Sequence, residues 1–372
     1  MTQTLVHRGP DEDGIYVDEQ AALGHRRLSI IDLSSGQQPM STEDGRLLIV
    51  YNGEIYNFPQ LKKELQGLGH NFRTNSDTEV ILKSYAQWGS ACLKHLKGMF
   101  ALALWDRNAK TVLLARDRVG KKPLYYNWDG QNLAFASELK ALLAGGCSLK
   151  NLYSQALDCF FCLGYIPSPL SIFTDVHKLE PAQFIQASPE KLQKETYWSV
   201  SFKEQQNISL DVAAEQFEDL FDQAVSSRLM SEVPLGAFLS AGLDSNLVVS
   251  AMARENEKQV LTNTIGFGAG EYDESEAARG TARFLGTDHR EFAVEPKAAE
   301  VLQDIAWHCD EPFADSSALP TWYVCQMARQ NVTVALSGDG GDESFGGYTF
   351  RYKPHVLESR VRSKLPSWFR SL

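Results

Sequence analysis

The feature that most restricts the fold is a regular alternation of helical and strand-like segments from about residue 211 onward. In chain order these segments are a helix at 213–230, a strand at 234–240, a helix at 245–255, a strand at 261–267, a helix at 274–286 and a strand at 332–338. Strands that alternate with helices of this length are typical of a parallel sheet covered by helices on both faces. We therefore predict an α/β fold with a parallel-sheet domain over residues 211–372.

The first part of the chain has a different pattern. Its apolar segments are short and strand-like, at residues 47–53, 100–106, 111–117 and 133–137, with helices that we expect to begin near Asn57 and Asp77. This mixture predicts sheets covered by helices over residues 1–147. Residues 148–210 carry several prolines and are interpreted as a connector of strands and loops.

Charge and cysteine content restrict the partners and the compartment. The formal charge is −11 and the isoelectric point is near 5.3, which argues against nucleic acid or a membrane surface as a partner, because both are polyanionic. The first residues lack the apolar stretch of a secretory signal, and we expect a cytoplasmic protein. The six cysteines are too sparse for a disulfide scaffold, and the Cys159/Cys162 pair is expected to be buried thiols.

A run of small residues joins a predicted strand to a predicted helix at Phe238–Ser245, with the sequence FLSAGLDS. Small residues allow the backbone to approach an anion closely, and the N-terminus of the following helix presents unpaired N–H groups to it. The run is neither a Walker A loop nor a Rossmann fingerprint. Taken alone, it suits a pyrophosphate site and a purely structural turn equally well.

A second loop, SGDGGDE at residues 337–343, follows another predicted buried strand and combines glycines with three carboxylates. In open parallel sheets, ligands bind at the carboxyl ends of the strands, and both loops are predicted to lie there. Asp244 and Asp342 are candidate ligands for Mg²⁺, which prefers carboxylate and phosphate oxygens, and Asp339 is left for the reacting end of a substrate.

The two loops together resemble the synthetase domain of asparagine synthetases and the wider ATP pyrophosphatase group. The resemblance implies that the nucleotide is contacted by Leu239, Ile265, Ser337 and Gly338, and that pyrophosphate is bound by Ser240, Gly242 and Ser245. It also implies that Asp339 matches the acidic residue tied to formation of a β-aspartyl-AMP intermediate. Ala241 departs from the family, which usually has glycine there. The run DEPFADSSALPTWYVCQMAR at 310–329 resembles an exosortase-associated branch of the family.

Polar residues also recur at predicted strand ends and turns in the first part, in HRGPD (7–11), GHRRLSI (24–30), YNGEIYN (51–57) and SDTEV (76–80). Arg27 can bind a carboxylate, Asp77 an ammonium group, and Asn52 with the Gly53 N–H can form an oxyanion hole. An Asn-Gly pair is in the first place a turn signal.

In this order, the four motifs resemble the class II glutamine amidotransferase domain. The resemblance implies an N-terminal nucleophile αββα fold and glutamine binding by Arg27, Ile30, Asn52, Gly53, Glu54 and Asp77.

One departure from that family concerns its nucleophile, an N-terminal cysteine. The first cysteine of this chain is Cys92, and Thr2 is a poor substitute. The family's opening strand and helix have no counterpart ahead of His7, and its helical region with an essential lysine has none before Leu372. We therefore expect the chain as it stands not to hydrolyse glutamine.

The resemblance implies a carbon–nitrogen ligase that makes asparagine from aspartate, ATP and glutamine, with ATP and Mg²⁺ bound in the second domain. Two alternatives stay open: an amidotransferase that acts on another carboxylate, such as a polysaccharide precursor, and a non-catalytic fragment that keeps ligand affinity. The expected partners are small molecules. The oligomeric state is not determined by the sequence, and a homodimer is kept as the assembly to test.

Overall fold

The computed structural model describes residues 1–147, 151–202, 207–255, 258–266, 268, 273–295 and 297–365. These residues form two compact units. The first contains Met1–Leu220, Met230–Val233 and Lys297–Trp322, and the second contains the described residues of 221–229, 234–295 and 323–365. No described helix is both long enough and apolar enough to span a bilayer.

The first unit is built from strands and helices in a mixed order. Up to residue 196 its elements are β1 Glu12–Val17, β2 Ala22–Arg27, β3 Met40–Ser41, β4 Leu47–Ile55, α1 Phe58–Gly67, α2 Asp77–Trp88, β5 Gly98–Asp106, β6 Thr111–Arg116, β7 Tyr125–Trp128, β8 Leu133–Ala136, α3 Leu139–Ala144, α4 Ser154–Leu163, β9 Val176–Lys178, β10 Gln183–Ser188 and β11 Lys191–Thr196.

Its central sheet has six antiparallel strands in the order β11-β10-β6-β5-β4-β3. Successive residues of a strand face opposite sides, and β4 is apolar on both sides. Ile49 and Tyr51 join the core under α1 and α2, whereas Leu48 and Val50 join a second core with residues of β2 and β7. The sheet is therefore buried on both faces.

A second strand layer and a second helical layer complete this unit. The strands are the β1-β2 hairpin and the β8-β7-β9 sheet. Tyr126 of β7 faces the central sheet, while its neighbour Tyr125 packs with Leu139 and Leu142 of α3 and Ala156 of α4. The order helices, sheet, sheet, helices confirms the αββα prediction.

The predicted connector contributes to these layers. From residues 148–210, β9 pairs with β7, and β10 pairs with β6 along Phe184–Ala187. The sequence predicted strands in this segment without placing them, because their pairing partners lie about 50 residues earlier for β9 and about 70 residues earlier for β10. The boundary between the predicted domains stays a prediction.

The later elements are α5 Leu210–Ser226, β12 Leu235–Phe238, α6 Leu243–Glu255, β13 Leu261–Gly266, α7 Ser275–Leu285, β14 Asp288–Ala293, α8 Ala298–Cys309, α9 Ala318–Ala328, β15 Val334–Leu336, α10 Gly341–Phe345 and α11 Thr349–Ser363. Strands β12 to β15 form a parallel sheet in the order β14-β13-β12-β15. This confirms the predicted parallel sheet.

The strand order of this sheet contains a reversal. From β12 the chain proceeds to β13 and β14 on one side, and β15 is then added on the other side of β12. The loops after β12 and β15 therefore diverge at a topological switch point, which is where open α/β sheets bind ligands.

Candidate functional site

A cavity of about 400 Å³ lies within the first unit. All six residues expected to bind glutamine line it, and they come from β2, β4, the loop after β2 and the start of α2: Arg27, Ile30, Asn52, Gly53, Glu54 and Asp77. The structure therefore brings together in one place residues that are up to 50 positions apart in sequence.

Arg27 is buried at the end of β2, where its guanidinium is held from several sides. One terminal nitrogen donates to Glu12 Oε2 at 2.7 Å, and the other donates to the carbonyl oxygens of Ile31 at 3.1 Å and Asp32 at 2.7 Å. These bonds fix the plane of the guanidinium. A fixed plane suits bidentate recognition of a carboxylate.

Asp77 is the first residue of α2, and its side chain is directed at β4. One carboxylate oxygen accepts from the Tyr51 hydroxyl at 2.8 Å and from the Ile55 N–H at 3.0 Å. Burial raises the pKa of Asp77, although these two hydrogen bonds oppose the shift. Nearby Glu54 has a pKa raised to about 8, first by burial and then by the charge of Asp77. Two carboxyl groups held in this way favour a cationic ligand group.

The Asn52–Gly53 pair lies within β4 and not in a turn. A Cβ at residue 53 would collide with the Met99 carbonyl oxygen and lie 2.8 Å from Phe100 Cα on the neighbouring strand β5. Only glycine allows this approach of the two backbones. The turn interpretation of the Asn-Gly pair is wrong here because the strand continues to Ile55.

Several cavity residues were not identified from the sequence. Gln38 bonds both backbone groups of Tyr51, accepting from its N–H at 2.6 Å and donating to its carbonyl at 3.1 Å. Lys122 also lines the cavity, and burial lowers its pKa. Neither residue lies in one of the four polar motifs, so only their position in space reveals them.

Asn57 is the N-cap residue of α1, which begins at Phe58 as the sequence predicts. Its side chain makes no cap bond to α1 and instead bridges to the chain before β5, with Nδ2 donating to His95 O and Oδ1 accepting from Lys97 N. The cap of α2 is Ser76, which accepts from the Thr78 N–H at 3.2 Å.

In the second unit, the loop after β12 is folded around two serines. Ser240 and Ser245 hydroxyls lie 3.0 Å apart, the Gly242 N–H donates to Ser240 Oγ at 3.1 Å, and Ser245 Oγ donates to Gly242 O at 3.0 Å. The Ala241 N–H donates to Glu274 Oε2 at 3.0 Å. The loop leads directly into the N-terminus of α6, and the N–H groups of Ala241 and Gly242 both donate to side-chain oxygen atoms.

The loop after β15 packs against this one. A Cβ on Gly338 would lie 2.7 Å from the Ser245 N–H nitrogen and 2.9 Å from Asp244 Cβ, and one on Gly341 would overlap the Asp244 carboxyl group. Glycine at both positions allows the acidic loop to approach the small-residue loop. The two sequence motifs therefore meet at the switch point.

The remaining predicted nucleotide and substrate residues lie at the same edge. Leu239 is buried, and its carbonyl accepts from the Thr264 hydroxyl, next to Ile265 on β13. Ser337 donates to Asp339 Oδ2 at 2.7 Å.

Asp244 and Asp342 by themselves supply only part of the ligands that a cation needs. Asp244 lies against Gly341, the residue before Asp342, so both carboxylates belong to the joined loops. Among the described residues, no group of three or more His, Cys, Asp or Glu side chains could hold a metal ion. These two carboxylates would therefore hold Mg²⁺ only together with phosphate oxygens.

Three histidines each make a hydrogen bond: His25 with Tyr51 O, His289 with Thr262 and His308 with Asp304 O. Burial also lowers the pKa of His25 to about 4.

The expectation for the Cys159/Cys162 pair is wrong in part. Both lie on α4, and Cys162 is exposed while Cys159 is half-buried.

Comparison with known proteins matches both halves of the chain. Residues 1–198 match the glutamine amidotransferase domain family and residues 216–372 match the asparagine synthase family. The glutamine-hydrolysing asparagine synthetase 1 of Bacillus subtilis is 37% identical over all of this chain and 58% of its own length. A Methanocaldococcus jannaschii protein named for the same enzyme is 39% identical over all of this chain and 75% of its own.

A third relative, asparagine synthetase 3 of Bacillus subtilis, is 32% identical over all of this chain and 65% of its own length. The chain thus spans between 58% and 75% of the length of these three relatives. Because the similarity covers the whole chain and both family domains, the chain belongs to the glutamine-hydrolysing asparagine synthetase family.

Proposed function

We propose that the protein is a glutamine-dependent asparagine synthetase, a carbon–nitrogen ligase that converts aspartate, ATP and glutamine to asparagine, AMP, pyrophosphate and glutamate. The observation that supports this most directly is the single cavity lined by all six candidate glutamine-binding residues. The junction of the two loops at the switch point supports the nucleotide half.

In the first unit, the Arg27 guanidinium binds the α-carboxylate of glutamine, and Asp77 with Glu54 binds its ammonium group. Asn52 and the Gly53 N–H stabilise the oxyanion that forms when the amide is attacked. Ile30 provides the apolar wall. No cysteine lies among the residues that line the cavity, so we take glutamine binding, and not hydrolysis, as the test for this chain.

In the second unit, Ser240, Gly242 and Ser245 bind the pyrophosphate of ATP, because the loop before α6 presents N–H and hydroxyl groups at a helix N-terminus. Leu239, Ile265, Ser337 and Gly338 contact the rest of the nucleotide, and Asp339 contacts the reacting end of the substrate. Asp244 and Asp342 hold Mg²⁺, which when bound stabilises the charge of departing pyrophosphate. Adenylation turns an unreactive carboxylate into an electrophile that ammonia can attack.

The proposal is tested first by calorimetric titration of the full chain with glutamine and with MgATP. Wild-type protein should bind both. Arg27→Ala should lose at least about tenfold in glutamine affinity, since a charge-assisted bond is worth about 1.5–3 kcal/mol, and should bind MgATP normally. Normal glutamine binding by this variant would contradict the assignment of the cavity.

The synthetic reaction is tested with aspartate, MgATP and either glutamine or ammonium chloride, by measuring asparagine and pyrophosphate. Asparagine formed with ammonium would support the nucleotide half independently of the glutamine half. Pyrophosphate release that depends on a carboxylate other than aspartate would favour a different acceptor. We further propose a cytoplasmic location, small-molecule partners and a homodimer, the last to be measured by light scattering.

A further inference from the structure

Asp32 is a buried residue beside the glutamine cavity that does not line it. It lies in the loop after β2, has only 5% of its surface exposed, and adopts a left-handed backbone conformation with φ of 51°. Such a conformation is uncommon outside glycine, asparagine and aspartate. Because the side chain is also buried, its carboxylate requires hydrogen-bond partners.

The backbone of Asp32 holds Arg27. Its carbonyl oxygen accepts from the Arg27 guanidinium at 2.7 Å, and the preceding carbonyl of Ile31 accepts from the same nitrogen at 3.1 Å. The left-handed turn directs both carbonyls to one side. The conformation of residue 32 thus sets where the guanidinium lies.

The carboxylate of Asp32 holds the start of α2. It accepts from the Asn75 N–H at 2.8 Å, and from Ser35 through its N–H at 3.0 Å and its hydroxyl at 2.7 Å. Asn75 lies two residues before Asp77 and next to Ser76, which caps the helix. The carboxylate therefore ties the loop after β2 to the segment that carries Asp77.

A third set of bonds anchors the same loop to residues 230–233, which belong to the first unit although the chain on either side of them belongs to the second. The Asp32 N–H donates to Glu232 Oε1 at 2.8 Å, and the Glu232 N–H donates to Ile30 O at 3.0 Å. Every polar group of Asp32 is thus bonded.

We propose that Asp32 is a positioning residue for the glutamine site, which holds Arg27 through its carbonyl group and Asp77 through Asn75. It fixes the distance between the carboxylate-binding and the ammonium-binding side chains without touching the ligand. The inference rests on the proposed glutamine-binding function of the cavity.

The test compares Asp32→Asn with Asp129→Asn in the full chain. Asparagine tolerates the left-handed conformation, but one side-chain oxygen becomes an NH₂ group that cannot accept from the Asn75 or Ser35 N–H. Asp129 is a matched control, because it accepts from two backbone N–H groups, those of Gln131 and Asn132, in the exposed turn between β7 and β8.

Calorimetry measures the affinity for glutamine and for two truncated analogues: 4-aminobutanamide, which lacks the carboxylate, and glutaramate, which lacks the ammonium group. In wild-type protein glutamine should bind more tightly than either. Asp32→Asn should weaken glutamine binding about tenfold and reduce the preference over glutaramate more than that over 4-aminobutanamide, because the carbonyl bond to Arg27 is kept. MgATP binding by this variant and glutamine binding by Asp129→Asn should stay at the wild-type level.

An Asp32→Asn variant that keeps the wild-type preference would overturn the inference, even if its thermal stability fell. An equal effect of Asp129→Asn would also overturn it. Asp32→Gly is the second variant, since glycine keeps the left-handed conformation and the carbonyl bond to Arg27; it should lose preference over glutaramate more than over 4-aminobutanamide. If wild-type protein binds no glutamine, the proposed function fails and the inference with it.

Discussion

Single residues set the charge balance of the cavity that we propose binds glutamine. Glu54 and Asp77 are buried together, and the pKa of Glu54 is raised to about 8 by burial and by the charge of Asp77. At pH 7 the free protein therefore carries a proton on this pair. A bound ammonium group favours the ionised form, lowers the pKa and releases the proton.

Glutamine affinity should consequently rise with pH between about 6 and 8, by at most about tenfold per pH unit for one released proton. Calorimetry in two buffers with different ionisation enthalpies at pH 7 measures the proton release directly. Glu54→Gln, which has no proton to lose, should bind with an affinity that is nearly independent of pH. An affinity that falls with pH in wild-type protein would contradict the assigned charge states.

Asn263 gives a prediction about stability. It lies within β13, is 1% exposed, and neither polar atom of its side chain has a hydrogen-bond partner within the described part of the chain. Leaving a buried amide unpaired costs free energy, and a β-branched apolar side chain suits a buried strand. Asn263→Val should raise the free energy of unfolding by about 1 kcal/mol, measured by chemical denaturation.

Asn127 on β7 provides the control. Its side-chain amide donates to Asp175 O at 2.6 Å, so Asn127→Val removes a bond that exists and should not stabilise the protein. If Asn263→Val lowers stability, the buried amide has a partner beyond the described residues, and the prediction is wrong.

Among the elements, strands with a continuous, mostly buried apolar run were predicted, and a strand whose residues are largely polar and exposed was missed. The segments at 47–53, 100–106 and 111–117 became β4, β5 and β6, which follow one another in the central sheet. In contrast, β11 is exposed along most of its length and carries charged residues, and it is a strand because β10 offers an edge. An apolar run indicates a buried strand, and a strand that is largely exposed has no such run.

The same distinction applies to the sites. Arg27, Asp77 and the two glycine-rich loops were found because each lies at the end of a recognisable strand or the start of a helix. Gln38 and Asp32 were not found. Gln38 bonds the backbone of Tyr51, and the Asp32 carbonyl accepts from the guanidinium of Arg27. No periodicity in the sequence signals such bonds. The sequence could therefore predict which residues line the cavity and form the two loops better than it could predict the residues that hold them in place.

The contact between the loops after β12 and β15 gives a prediction at this scale. Because a Cβ at residue 338 would lie 2.7 Å from the backbone nitrogen of Ser245, Gly338→Ala must push the two loops apart. MgATP affinity should fall about tenfold or more, the loss expected when one charge-assisted bond at the phosphates is broken. Glutamine binding should not change.

Gly280→Ala is the matched control in α7. A Cβ there has no neighbour within 4 Å among the described residues, and alanine is favoured over glycine in a helix. This variant should bind MgATP normally and be slightly more stable. Normal MgATP binding by Gly338→Ala would show that the two loops need not touch for the nucleotide to bind.

At the scale of the whole molecule, residues 297–322 belong to the first compact unit although they match the asparagine synthase family. Asp310 and Glu311 follow α8 and hold this segment in place. Asp310 accepts from the Lys140 N–H at 3.2 Å and pairs with Lys140 Nζ at 3.1 Å. Glu311 accepts from the Ile172 N–H at 2.8 Å and pairs with Lys178 Nζ at 2.5 Å.

The Glu311–Lys178 pair is nearly buried, with 7% and 14% of the two side chains exposed. Removing one partner of a buried ion pair costs about 3–5 kcal/mol, whereas replacing both with apolar residues is often neutral. Glu311→Leu should therefore destabilise the first unit by about 3 kcal/mol and expose residues 297–322 to limited proteolysis. The double variant Glu311→Leu/Lys178→Met should recover most of the loss, because no buried charge remains unpaired. If the double variant is as unstable as the single one, the segment is held by the hydrogen bonds that Glu311 accepts from the Ile172 N–H and the Tyr125 hydroxyl, and not by the ion pair.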